Sequence, residues 1–236
     1  MAVRGILFDK DGTLIDFRGT WLAAYCGAAR DLAERAGLPP DFARELLGRL
    51  GYDVVNDTFT TDSPLLWATN EAVANSWAAM PELCALGDVS TVAHSHFGDS
   101  ERYSVTPIGD LPSLLERLRG RGLKLGVATM DTTAKAVSTL DKLGLGDRVD
   151  FVTGYDGGYG EKPAPGMVHG FCSVTGLQPC EVMVVGDTAA DLLMARAANA
   201  AMGVAVLTGA TPRHVLDQHA DHVIEAVTVV ETLLVS

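Results

Sequence analysis

The stretch Val3-Arg4-Gly5-Ile6-Leu7-Phe8-Asp9-Lys10-Asp11-Gly12-Thr13-Leu14-Ile15 decides the reading of the whole chain. Residues 3–8 form a short apolar run of strand length, bounded by turn-forming residues. Two carboxylates, Asp9 and Asp11, follow at once, and Gly12 lets the backbone turn beside them. Carboxylates set this way at a strand end can hold a divalent cation, and one of them can act as a nucleophile. Strands also end in Asp and Gly for turn reasons alone. The choice depends on what else the chain carries, and in which order.

Composition narrows the field. With 236 residues, 47% hydrophobic and 20% charged, the chain has room for one large domain, or a medium one with an insertion. A formal net charge of −12 argues against nucleic acid or an anionic membrane as partner. A phosphate-bearing ligand would have to be drawn in by local cations or a metal, against that field. Cys26, Cys84, Cys172 and Cys180 form no CxxC pair and no zinc spacing, so reduced thiols are expected. Arg4 and Asp9 interrupt the N-terminal apolar run, and no uncharged stretch reaches bilayer length. A soluble, cytoplasmic protein without a signal peptide is therefore expected.

From about residue 19 to 96 the chain is rich in Ala and Leu at helical spacing. Trp21, Leu22, Tyr25, Ala28, Ala29, Leu32 and Ala36 make one helical face, ending at Gly37-Leu38-Pro39. Asp41 is placed to cap a second helix to residue 50, Ser63-Pro64 to start a third to residue 80, and Pro81-Glu82 a fourth. No strand is expected in this block. Beyond Pro107 helices and β-runs alternate: 111–121 then 123–128, 132–143 then 151–153, 166–175 then 182–185, and 189–198 then 204–207. Single helices between strands predict a doubly wound parallel sheet. The expected architecture is an α/β core, residues 1–16 and 107–236, with an all-helical unit, 17–106, inserted after the first strand.

Ligands of such sheets bind beyond the carboxyl ends of the strands. There the chain places, in order, Asp9 and Asp11, then Thr129, then a glycine-rich loop leading to Lys162, then Gly186-Asp187-Thr188 with Asp191. This ordered set resembles the four motifs of the haloacid dehalogenase superfamily, whose Rossmann-like core carries a helical cap where this chain has its insertion. In length and layout the chain is most similar to the helical-cap phosphatases of the phosphoglycolate phosphatase type.

That resemblance implies a Mg²⁺-dependent phosphatase acting on a small phosphorylated metabolite through an aspartyl-phosphate on Asp9. Asp11 would protonate the leaving oxygen and later take a proton from water. Thr129 would donate to a phosphate oxygen; taken alone it reads first as an N-cap for the helix that follows, and both can hold. Met130 stands where the family usually has Asn, which leaves its backbone N–H to face the phosphate. Lys162 would balance the carboxylates, although a loop lysine is ordinarily solvated. Mg²⁺ would sit between Asp9, the main-chain carbonyl of Asp11, and Asp187. Asp191 reads both as the third residue of a capping box with Thr188 and as an orienter of the metal's water.

Other chemistries are disfavoured. The second carboxylate, Asp11, argues against a dehalogenase. No lysine lies between Lys10 and Lys124, so the Schiff base of a phosphonoacetaldehyde hydrolase has no cap lysine. The glycines of 154–160 fit neither a Walker loop nor a dinucleotide fingerprint, because Glu161, Pro163 and Pro165 intervene. A sugar phosphomutase and a non-catalytic phosphate-responsive binding protein stay open. In the insertion Arg18 and Arg49 suit a substrate carboxylate, with Asn56, Trp67, Asn70, His94, His96 and Arg102 as further candidates. Hinges are expected near 15–18 and 104–107.

Overall fold

Gly5–Phe8 is buried at every position because it runs through the middle of a six-stranded sheet covered on both faces. The computed structural model describes residues 2–98 and 105–234. In chain order the sheet strands are Gly5–Phe8, Lys124–Ala128, Phe151–Thr153, Val182–Gly186, Met202–Val206 and His222–Ile224. Across the sheet they lie third, second, first, fourth, fifth, sixth, and every neighbouring pair is parallel. Parallel neighbours require crossovers. The helices Thr133–Lys142, Gly166–Thr175 and Ala189–Ala197 lie in those connections.

The strand order reverses at the first strand, which pairs with the second on one side and the fourth on the other. A crevice opens at such a reversal. Phe8 pairs with both Val127 and Val185, so the three central strands end nearly level. Beneath them Leu7, Val184, Met167, Val168, Phe171 and Met194 form one apolar cluster, each such side chain contributing roughly 1.5–3 kcal/mol. The Phe171 ring lies flush on the sheet because Gly126 faces it; a Cβ there would come within 2.7 Å of the ring.

The expected core elements are present within one or two residues of their ends. Elements that sequence periodicity did not reveal include His222–Ile224, a three-residue edge strand, and the short helix Arg213–Leu216 before it.

The chain divides into two compact units, residues 1–16 with 107–236, and residues 17–106. The second unit is mostly helical: a turn of π-helix at Arg18–Leu22 leads into Ala23–Arg35, followed by Phe42–Gly48, Pro64–Trp67, Asn70–Ala78 and Val89–Gly98. Trp77 is fully buried there and its indole N–H donates to the Leu46 carbonyl at 3.2 Å.

Four expectations for this unit are corrected. It also holds an antiparallel hairpin, Tyr52–Asp53 with Thr58–Phe59. The two aromatic rings lie 4.6 Å apart, and Asp53 accepts from the N–H groups of Val55 and Asn56 in the turn. Asp41 takes helical dihedrals and makes no capping bond. The helix expected over 63–80 breaks at Ala68 and Thr69, both extended, and the Thr69 hydroxyl starts a new helix by accepting from the Ala72 N–H. The last helix starts at Val89 rather than near 81, because 81–86 form turns and Gly87 has φ +70. Among the described residues no helix is long and apolar enough to cross a membrane.

Candidate active site

The strand ending at Phe8 hands its polar residues directly to the crevice. The Asp9 N–H still donates to the Val185 carbonyl at 2.8 Å, after which the chain turns sharply. The Lys10 carbonyl accepts from both Leu14 and Ile15, at 2.9 and 3.0 Å. Gly12 makes this turn possible in two ways. Its φ is +81, and a Cβ would lie 2.4 Å from Asp187 Oδ2.

Lys162, only 6% exposed, donates to Asp9 Oδ1 and to Asp191 Oδ1, each at 2.6 Å. Asp191 Oδ2 meanwhile accepts from the Thr188 N–H at 3.1 Å and hydroxyl at 2.7 Å, completing the capping box read from the sequence. Asp9, Asp187 and Asp191 each bring a carboxylate oxygen within 4.8 Å of the other two. The Asp11 carboxylate is not in this group. It accepts from Lys10 Nζ, at 3.0 Å on Oδ1, and from the Thr129 hydroxyl at 3.5 Å.

Thr129 is buried at the end of the second strand, and its Oγ1 also accepts from the Asp131 N–H at 3.1 Å. The cap of the next helix is Thr132, which accepts from Lys135, so the N-cap alternative for Thr129 falls away. Met130 is half-buried in the bend between them.

Burial shapes the electrostatics. It pushes the Asp9 carboxyl up to about 7; Lys162 opposes the shift, and Asp191 and Asp11 add to it. Asp187 is raised well above the ordinary carboxylate value by burial, then by Asp9 and Asp191. For Lys162, burial disfavours the ammonium, but Asp191 and Asp9 outweigh it and hold the pKa above its usual value. When all three carboxylates are ionised beside one ammonium, two negative charges are left over, which a divalent cation would balance. Among the described residues, buried Asp187 Oδ1 has no hydrogen-bond partner, which suits a ligand atom. Oxygen donors with few carboxylates suit Mg²⁺, so the residues present fit the ion that the resemblance implies.

Four neighbours of the site went unread in the sequence. Lys10 and Asp131 are both buried and paired at 3.3 Å. A lysine between two aspartates at the end of an apolar run was the signal available. Thr208 and Gly209 follow the fifth strand. The Thr208 hydroxyl donates to the Gly12 carbonyl at 2.6 Å, and a Cβ on Gly209 would lie 1.8 Å from Asp187 Oδ2. Their place at a strand's carboxyl end was the only hint.

In the second unit Arg18 is bound by the Asp57 carboxylate and lies 5.8 Å from the centre of the Phe59 ring. Arg49 is held by Glu82, at 2.8 and 2.9 Å, and by Glu45. Arg102 and the second expected hinge up to residue 104 lie outside the described residues.

Known proteins are similar to this chain. The "Probable phosphatase IndB" of Dickeya dadantii is 31% identical over 206 residues, 84% of this chain and 80% of that protein. A phosphoglycolate phosphatase of Yersinia pseudotuberculosis is 30% identical over 202 residues, 84% of this chain and 78% of its own. A haloacid dehalogenase-like family hydrolase of Streptococcus pneumoniae superposes with a TM-score of 0.70, covering 98% of each chain at 19% identity, and so shares the fold. The family model for haloacid dehalogenase-like hydrolases matches residues 3–199, a range that contains Asp9, Asp11, Thr129, Lys162, Asp187 and Asp191. With these residues converging at the reversal of its sheet, the chain belongs to the haloacid dehalogenase-like hydrolases.

Proposed function

We propose that the protein is a Mg²⁺-dependent phosphatase that hydrolyses a small phosphorylated metabolite, similar to phosphoglycolate, through an aspartyl-phosphate on Asp9. Its class, a phosphoric monoester hydrolase, follows from the family and from relatives named as phosphatases. The observation that carries the finer reading is the split between the two motif carboxylates. Asp9 belongs to the cluster with Asp187 and Asp191, whereas Asp11 faces Lys10 and Thr129.

When bound, the cation would neutralise phosphoryl charge between Asp9 and Asp187. The chain's own groups do the rest. An Asp9 oxygen attacks phosphorus, and the bond from phosphorus to the leaving oxygen breaks. Asp11 gives its proton to that oxygen. Asp11, now a carboxylate, takes a proton from a water whose oxygen attacks the phosphorus of the acyl-phosphate. The bond from phosphorus to Asp9 breaks, freeing phosphate and restoring the Asp9 carboxylate. Lys162 supplies fixed positive charge beside Asp9 throughout. The Thr129 hydroxyl and the Met130 N–H are the donors assigned to the non-bridging oxygens. Discrimination among leaving groups is assigned to the inserted unit, with Arg18 and then Arg49 as its candidate carboxylate ligands.

The test is phosphate release from a panel of phosphorylated metabolites that includes phosphoglycolate, with Mg²⁺ and with chelator. Release that needs Mg²⁺ is expected. Isomerisation of a sugar phosphate without net release would replace the reading with a phosphomutase. Binding of phosphate without turnover of any ester would replace it with a binding protein.

A further inference from the structure

Lys10 is 1% exposed although it is a lysine next to the nucleophile. Its ammonium donates to Asp11 Oδ1 at 3.0 Å and lies 2.8 Å from Asp11 Oδ2. It also reaches Asp131 Oδ2 at 3.3 Å. The chain closes a ring around this contact: the Asp131 N–H donates to Thr129 Oγ1 at 3.1 Å, and that hydroxyl lies 3.5 Å from Asp11 Oδ2. Asp131 is itself pinned. Its Oδ1 accepts from the Thr132 N–H at 2.8 Å, and its carbonyl accepts from the Tyr155 N–H at 3.1 Å.

A buried ion pair is a poor source of stability, because the desolvation of both charges cancels most of their attraction. Apolar side chains of similar volume would hold the fold as well. What apolar groups cannot do is fix the direction of a neighbouring carboxylate. We infer that Lys10, held by Asp131, is a positioning residue that fixes the Asp11 carboxyl for proton transfer to the leaving oxygen. This rests on the reading of Asp11 as the proton carrier. The site then has two lysine clamps, Lys162 on the attacking aspartate and Lys10 on the proton-carrying one. Without Lys10, Asp11 and Asp131 would be two carboxylates in one pocket, and their repulsion would turn Asp11 away.

A misplaced Asp11 slows the attack of water for every ester, but in the first step, which kcat/KM reports, it harms only esters whose leaving oxygen needs the proton. A 4-nitrophenolate departs readily as the anion, whereas an alkoxide needs its proton in the transition state. Lys10→Met should therefore lower kcat/KM for glycerol 2-phosphate by ~10²-fold, and for 4-nitrophenyl phosphate at least ten times less. Because that variant leaves the buried Asp131 with the more distant Lys135 ammonium, 4.0 Å from its Oδ1, Lys10→Met is also combined with Asp131→Asn. The pair of changes removes both charges and keeps an acceptor for the Thr132 N–H, so the fold should persist, as circular dichroism can check. The same selective loss is expected there, with partial rescue in Lys10→Arg. Equal losses of kcat/KM on both substrates, or an unchanged kcat/KM for the alkyl phosphate in the folded double variant, would overturn the assignment. If the wild type releases phosphate from neither ester, the reading of the whole site fails, and this assignment with it.

Discussion

Gly209→Ala adds one methyl group where the backbone after the fifth strand passes Asp187. The new Cβ would stand 1.8 Å from Oδ2, 2.4 Å from Cγ and 2.5 Å from Cβ of Asp187. Ordinary contact begins near 3.4 Å, so the gap must open by about 1.6 Å. Asp187 is 4% exposed on a short side chain and has little room to retreat. Metal sites hold their distances within about 0.2 Å, so a shift of this size should weaken the ion's hold. An affinity loss of ~10–100-fold is expected, the range seen when the support of a ligand is removed. Overpacking should also cost the fold ~1–3 kcal/mol. The assay is the Mg²⁺ concentration for half-maximal phosphate release, together with the rise in Tm that Mg²⁺ produces. Gly120→Ala serves as control, since a Cβ at that helix end meets no atom within 4 Å. An unchanged Mg²⁺ requirement in folded Gly209→Ala would refute the reasoning.

Three further outcomes are expected. Asp9→Asn should lower turnover ~10³-fold or more, because an amide cannot form the acyl-phosphate; a purified, folded variant that keeps its activity would exclude Asp9 as nucleophile. In metal-free protein the buried Asp9 keeps its proton up to about pH 7, while the unfolded chain releases it near the ordinary value of 3.8. Asp9 therefore adds stability at low pH that declines as pH rises through that window. Thermal unfolding in chelator should show a decline steeper than in Asp9→Asn, and identical slopes would contradict it. Arg18→Ala should lower kcat/KM for the best metabolite far more than for an aryl phosphate, and equal losses on both would remove Arg18 from specificity.

Much of the core was legible because a doubly wound sheet sends each strand's last residues to the same edge. Asp9, Thr129 and Asp187 could be lined up from chain order alone, and Thr188 with Asp191 carried a local capping signal. Lys10 with Asp131 could not be paired from sequence. They are 121 residues apart and meet only because the first two strands pair in one particular register. Gly209 was silent for a related reason: its glycine is needed by the close approach of another segment, which leaves no local trace. In the inserted unit, two-residue strands are too short to show periodicity. The break before Asn70 depends on a threonine that caps a helix inside an apolar run, where helical spacing continues across it.

The central claim is that Asp9 carries the phosphoryl group, and trapping that bond tests it most directly. Protein quenched during turnover with Mg²⁺ and substrate is reduced with borohydride, which converts an aspartyl-phosphate to homoserine, and is then mapped by mass spectrometry. The account predicts homoserine at position 9, and none when Mg²⁺ or substrate is left out. Rapid phosphate release with position 9 unmodified, or with the label on another residue, would contradict it.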